Sequence, residues 1–286
     1  MKFRAAIAQM DPRVGDVKHN VERHMKLADR AIREKARLIV FPELSLTGYT
    51  LRDIAYEVAM DPAKDPSLEA LRKRSKKITI VAGLVESGID HGIYNSAVCF
   101  EDGRVRHIHR KVYPPTYGMF EEGRYFSKGK SVAAFDSKLG RFGMLICEDF
   151  WHVPLPYLLA RDGAEVLINL TASPTRMAGE SADLANARIN HEHQATYARL
   201  LSSYVVFSNR VGFEDGVSFW GGSVIVGPSG DQIAKAPFFE ESFLVGEIRG
   251  EEVRRARQLS RHFLDEDPQL VLDTLRQQKQ SRRGIS

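Results

Sequence analysis

Residues 141 to 151 read "RFGMLICEDFW". A short apolar run enters a cysteine, two carboxylates follow at once, and two aromatic rings come after them. Such a run, bounded by turn residues, reads as a buried strand with Cys147 at its end. Three other segments stop in the same way. "RLIVF" (37 to 41) halts at Pro42, with Glu43 next. "RVRHIHR" (104 to 110) runs into Lys111 and a long aromatic loop. "AEVLINL" (164 to 170) opens into "TASP". In α/β sheets, chemistry gathers just beyond the carboxyl ends of strands. A glutamate, a lysine and a cysteine are therefore candidates to meet in one cleft.

The rest of the chain repeats that rhythm. "FRAAIAQ" is a strand. Val21, Met25, Ala28 and Ile32 recur at helical spacing, and a polar helix is expected around 67 to 77. "ITIVAGL" is a buried strand. "NSAVCF" and "RVRHIHR" flank "EDG", a hairpin signal. Residues 154 to 163 and about 180 to 200 read as helices, "YVVFSN" as a strand, "SVIVGPSGDQIAKA" as a hairpin and "FLVGEI" as the last strand. Strands alternating with helices imply α/β layers with helices covering sheets. No repeat and no linker divides the chain, so a single domain over 1–250 is expected, followed by a tail over 251–286.

Composition excludes several classes. The 286 residues are 43% hydrophobic and 27% charged, enough for a full core and unlike a disordered chain. Two cysteines make no disulfide framework, and the N-terminus lacks a signal-peptide core, so a cytoplasmic protein is expected. No run reaches the length of a membrane span. The net charge is only +4, and the basic residues are interleaved with acids, so no nucleic-acid footprint is visible.

Each candidate has a bland reading. A free cysteine is usually a small buried hydrophobe, and Cys99 in "YNSAVCF" fits that role. Nine histidines include the pairs 107/109 and 191/193, but no HExxH or third-ligand pattern accompanies them, so neither a metal nor another cofactor is expected. The aromatics Tyr49, Tyr117, Phe120, Trp151 and Trp220 divide between core and pocket wall. Tyr49 and Tyr117 lie in the candidate loops and are favoured as pocket wall.

Taken together, "FPELSLTGY", "RKVYPPTYGMFEEGRYF" and "LICEDFWH" resemble the three signature segments of the nitrilase superfamily, the carbon–nitrogen hydrolases. Order and separation match over about residues 3 to 250. The motifs are most similar to the glutaminase domain of glutamine-dependent NAD synthetases and to carbamoylputrescine-type amidases. The resemblance implies an αββα sandwich, usually dimeric. It also implies a catalytic set of Glu43, Lys111 and Cys147. A second glutamate is implied at Glu122, with Glu121 as the alternative register. Tyr49, Tyr117, Glu148, Phe150, Trp151 and Ser173 are the candidate substrate contacts.

A thiol of ordinary pKa near 8.5 needs a cation or a base to react at neutral pH. Lys111 can be the cation and Glu43 the base. The expected reaction is hydrolysis of a primary carboxamide with release of ammonia through a thioester. An N-carbamoyl amidohydrolase is the chemical alternative, a true nitrilase a weaker one, and an inactive interaction protein the alternative from another class. No synthetase domain or nucleotide loop follows, so the expectation is a stand-alone hydrolase or one serving a separate synthetase. Asp149 is expected to fix the turn or pair with an arginine. In the tail, Asp267 and Pro268 start a short helix bearing Leu270, Val271, Leu272 and Leu275. Such a helix is too short to be stable alone. It is expected to dock, either on its own domain or across a homodimer or larger even assembly.

Overall fold

The computed structural model describes residues 1–175 and 184–283. One six-stranded sheet runs in the order Ser242–Arg249, Lys2–Gln9, Ala36–Val40, Thr79–Ser87, Ile93–Glu101, Arg104–Arg110. The second runs Gln232–Lys235, Val224–Val226, Tyr204–Asn209, Val166–Thr171, Gly140–Ile146, Phe135–Ser137. The central pairs of each sheet are parallel.

Strand period 2 sorts the side chains into layers. Along the first strand, Ala5 and Ile7 face the other sheet, packing with Leu38, Val81, Met144 and Ile168. Ala6 and Ala8 face the opposite way, onto the helix Val17–Arg33 through Val21 and Ala28. The second sheet turns Leu145, Leu167 and Phe207 outward, beneath the helices Pro154–Arg161 and Ala185–Leu200. Helix, sheet, sheet and helix therefore stack as the αββα sandwich expected.

Most of the expected elements are present, with instructive differences. The turn Asp102–Gly103 joins its two strands with φ of 51 and 83, the left-handed pair of a tight hairpin. The polar helix near 67 to 77 is shorter, a turn at Pro66–Leu68 followed by Glu69–Arg74. Of the helix expected at 180 to 200, residues 180–183 lie outside the described residues, and the rest is Ala185–Leu200. "TASP" is not all loop: Pro174–Thr175 pairs with Phe219 and Ser218 in a third, small sheet with the hairpin Val211–Glu214 and Val217–Trp220.

The tail is more helical than expected. It comprises Gly250–Leu259 and Pro268–Arg283. Val253 belongs to the core between the sheets, so the first of these helices packs on the sandwich. The second leaves Leu270, Leu272 and Leu275 exposed, with Leu270 at 64%. Asp267 caps it, accepting from the backbone N–H groups of Gln269 and Leu270. No described helix is long and apolar enough to cross a membrane.

Candidate active site

Glu43 sits in the loop that follows Ala36–Val40. The loop lies directly on the neighbouring strand at Gly83, where a Cβ would meet the Pro42 carbonyl oxygen at 2.7 Å. Leu46 N–H bonds back to the Gly83 carbonyl at 3.0 Å. Glycine at 83 thus lets the glutamate be driven inward, to 1% exposure.

Lys111 arrives from the end of Arg104–Arg110 and is as deeply buried as Glu43. Its Nζ donates to Glu43 Oε1 and to Glu122 Oε1, both at 2.7 Å. Glu122 opens the helical turn Glu122–Tyr125 and is 5% exposed, whereas Glu121 is exposed. Of the two registers, 122 is the one that reaches the lysine. Tyr49 hydroxyl donates to the same Glu122 oxygen at 2.6 Å. Asn95 Nδ2 donates to Glu43 Oε1 at 2.7 Å, and Ala172 N–H donates to Glu43 Oε2 at 2.7 Å.

Cys147 follows Gly140–Ile146 with φ of 47, a left-handed value uncommon for a residue with a Cβ. Its backbone N–H donates to Asn169 Oδ1 at 3.1 Å. The sulfur faces the Ala172 amide that also serves Glu43. A thiol, an ammonium and two carboxylates therefore converge from four separate points of the chain.

Asp149 is the tie between the segments. Fully buried, it accepts from the N–H groups of Val112 and Tyr113 at 3.0 Å each, and from Ile146 N–H at 3.3 Å. Its partner is His109 Nε2 at 2.8 Å, not an arginine. The expectation that Asp149 fixes the turn stands; an arginine partner does not. The lysine segment and the cysteine turn are held together by one carboxylate.

Electrostatics sharpen the roles. Burial pushes the Cys147 thiol well above its ordinary value; Glu43 adds to this, and Lys111 works against it. Burial alone would depress the Lys111 ammonium, but Glu122 and Glu43 outweigh it and hold the pKa well above the usual value. Burial pushes Glu122 up to about 7, opposed by Lys111. Lys111 is thus already shared by two carboxylates. Glu43, bonded to the same backbone amide that the sulfur faces, is the carboxylate placed to take the thiol proton.

The substrate-contact candidates divide. Tyr49 and Glu122 line a cavity of about 330 Å³, together with Phe120, Phe126 and Phe219. Tyr117 is exposed and donates to Glu148 Oε2 at 2.8 Å. Burial and that carboxylate push its phenol up to about 12. Trp151 is part-exposed and stands edge-on to His193. Phe150 does not reach the cleft. It is buried under the helices against Tyr197, because the turn Cys147–Trp151 points it outward from the sheet. Ser173 Oγ accepts from Trp220 Nε1 at 3.0 Å and Asn186 Nδ2 at 3.1 Å, so its lone pairs are engaged within the protein. The two histidine pairs are likewise committed elsewhere. His107 stacks on Phe135, and His191 bonds to the Gly222 carbonyl.

Asn95, Asn169 and the Ala172 amide were not anticipated. The available signal was a polar residue inside each of two apolar strands, "YNSAVCF" and "LINL".

The arrangement is equipped for nucleophilic chemistry by a thiol with a carboxylate as its base. Residues 4–258 match the model of the carbon-nitrogen hydrolase family. The chain therefore belongs to the carbon–nitrogen hydrolases, the nitrilase superfamily. It is 31% identical to a glutamine-dependent NAD(+) synthetase of Acinetobacter baylyi over 98% of its own length and 49% of the relative's. A solved NAD+ synthetase from Acinetobacter baumannii superposes with a TM-score of 0.76 at 29% identity, over 88% of this chain and 47% of that one. A nitrilase-superfamily protein of Saccharomyces cerevisiae, assigned to branch 10, superposes with a TM-score of 0.79 at 25% identity, over 91% and 94%. The chain spans about half the length of the synthetases it matches.

Proposed function

We propose that the protein hydrolyses a primary carboxamide, with a glutamine-like side-chain amide as the favoured substrate, and releases ammonia through a thioester on Cys147. The observation that carries this reading is the pairing of the Cys147 sulfur with a buried carboxylate at one backbone amide, beside a lysine held by two carboxylates.

Glu43 takes the thiol proton as sulfur attacks the carbonyl carbon. Negative charge then grows on the carbonyl oxygen, where the Lys111 ammonium and the Glu148 backbone N–H stabilise it. Losing such a donor typically costs about 10²–10³ in rate. Glu43 returns the proton to the nitrogen, the C–N bond breaks and ammonia leaves. Glu43 next draws a proton from water, which attacks the thioester and frees the acid and the thiol. Glu122 and Tyr49 hold Lys111 in place throughout.

The similarity to the synthetases favours a glutamine amide, with the ammonia passed to a synthetase. The carboxamide reading also fits a cavity near the lower limit for small-molecule sites. The exposed apolar residues of Pro268–Arg283 suggest, in addition, a homodimer or larger even assembly of a cytoplasmic enzyme. The test is ammonia release from glutamine, asparagine, simple amides, an N-carbamoyl amine and a nitrile, with the acyl mass located by peptide mapping. Turnover of amides with an adduct on the Cys147 peptide supports the reading. Turnover confined to the carbamoyl compound or the nitrile overturns it.

A further inference from the structure

The hairpin of Val211–Glu214 and Val217–Trp220 carries charges that the chemistry above leaves unused. Its turn is Asp215–Gly216, with φ of 48 and 81. At its root stands Arg210, fully buried. Arg210 donates to Asp11 Oδ1 at 2.8 Å and to Glu214, and its guanidinium lies 4.2 Å over the Phe219 ring. Glu214 in turn accepts from Thr50 N–H at 2.9 Å. A buried guanidinium is tolerable only with such partners. This inner tie fixes the hairpin against the segment that follows Tyr49.

A second tie joins the same two strips at their outer edge. Arg52 pairs with Asp215, and their side chains are 62% and 50% exposed. Both residues line the cavity whose inner wall holds half-buried Tyr49 and buried Glu122. An exposed pair contributes little to stability. The fold does not need it, because the Arg210 tie already holds the hairpin. What the outer pair does is bridge the rim of the cavity with a link that opens at small cost.

We propose that the Arg52–Asp215 pair is a specificity clasp, closing the outer end of the acyl pocket and limiting the length of the acyl group delivered to Cys147. The proposal rests on the amidase reading. It predicts that longer amides gain when the clasp is opened, because each further methylene buried is worth about fourfold in binding.

The experiment compares kcat/KM for hexanamide and propionamide in the wild type, Arg52→Glu, Asp215→Lys and the double variant. Each single variant places like charges opposite one another, and the hexanamide-to-propionamide ratio should rise at least tenfold. The double variant restores opposite charges and should return the ratio to the wild-type value. An unchanged ratio in the single variants overturns the clasp, as does a double variant that fails to restore it. Absence of ammonia from every amide in the wild type would overturn the amidase reading instead. The clasp is then decided by alkylation of Cys147 with iodoacetamide and with its N-hexyl derivative, located by mass. The relative rate of the longer reagent should rise at least tenfold in each single variant, and equal relative rates overturn the proposal.

Discussion

Cys99 and Cys147 belong to facing sheets and differ in what surrounds them. Cys99 lies within Ile93–Glu101, wholly buried, and burial pushes its thiol far up. Cys147 is part-buried at a strand end, and its thiol is pushed up as well, by burial and by Glu43. The direction of the shift does not separate them. Their neighbours do. Cys99 packs among Val81, Ala97 and Ile146, and the carboxylate that acts on it, Glu101, is taken up by the Thr79 and Ser137 hydroxyls and the Lys138 backbone N–H. Cys147 shares the Ala172 amide with Glu43, and its left-handed backbone sets it apart from the strand it ends. What distinguishes Cys147 from Cys99 is the carboxylate positioned beside it, not the direction of its pKa shift.

The contrast breaks first at the thiols. Cys147→Ala should reduce ammonia release by about 10⁴ or more, since removing a nucleophile leaves only residual binding effects. Cys99→Ala should retain activity and lower stability by about 1 kcal/mol through the small void it leaves. Rate assays and urea midpoints on both variants check this, and an acyl adduct on the Cys99 peptide would reverse the assignment.

Next in size is the base. Glu43→Gln should slow acylation and deacylation alike by about 10²–10⁴. Pre-steady-state quench followed by intact-mass analysis resolves the two steps; a normal burst with slow deacylation would confine Glu43 to the second.

Asp149→Asn should cost about ten- to a hundredfold in kcat, because it loosens both the lysine segment and the cysteine turn without touching the substrate. Labelling of Cys147 by iodoacetamide in that variant reports whether the turn has moved.

A pH effect belongs to Glu122. Its folded pKa, about 7, lies above the value of an unfolded glutamate, so the native state binds more protons between the two. Its contribution to stability is complete below about pH 4 and is lost as pH rises through about 7. The full difference is about 4 kcal/mol at most, shared with the ionisation of its partners. Glu122→Gln should flatten that part of the stability curve, measured as urea midpoint against pH. An identical slope in wild type and variant would place the titration elsewhere.

The smallest expected effect is on assembly. Removing residues 267–286 should lower the mass seen by light scattering and reduce activity a few-fold, leaving the catalytic residues intact. A fully active monomer of the whole chain would exclude a role for the exposed leucines in assembly.

Much of this site is legible because strand ends announce themselves. Pro42 stops one strand and delivers Glu43; Lys111 and Cys147 each stand one residue past an apolar or alternating run. Asn95 and Asn169 lie inside strands, where a lone polar residue has no spacing to mark it, and only the packing of the sheets shows which way each side chain points. Phe150 and Trp151 illustrate the same limit. Adjacent aromatics in a turn cannot be assigned to core or cleft before the turn is built. The 211–220 hairpin carries a recognisable Asp-Gly signal at 215–216, but its strands are short and lack clean alternation. The second tail helix extends well beyond its apolar patch, through charged and amide residues that spacing alone does not assign to a helix.

The bond from Ala172 N–H to Glu43 spans 129 residues of chain, and the one from Lys111 to Glu43 spans 68. Contacts so distant in sequence cost loop entropy before they return any energy, and they close late during folding. Refolding should therefore recover helical signal and compactness before it recovers turnover. A newly made chain of this design passes through an interval in which Cys147 stands without Glu43 beside it, folded in outline and incomplete at the cleft.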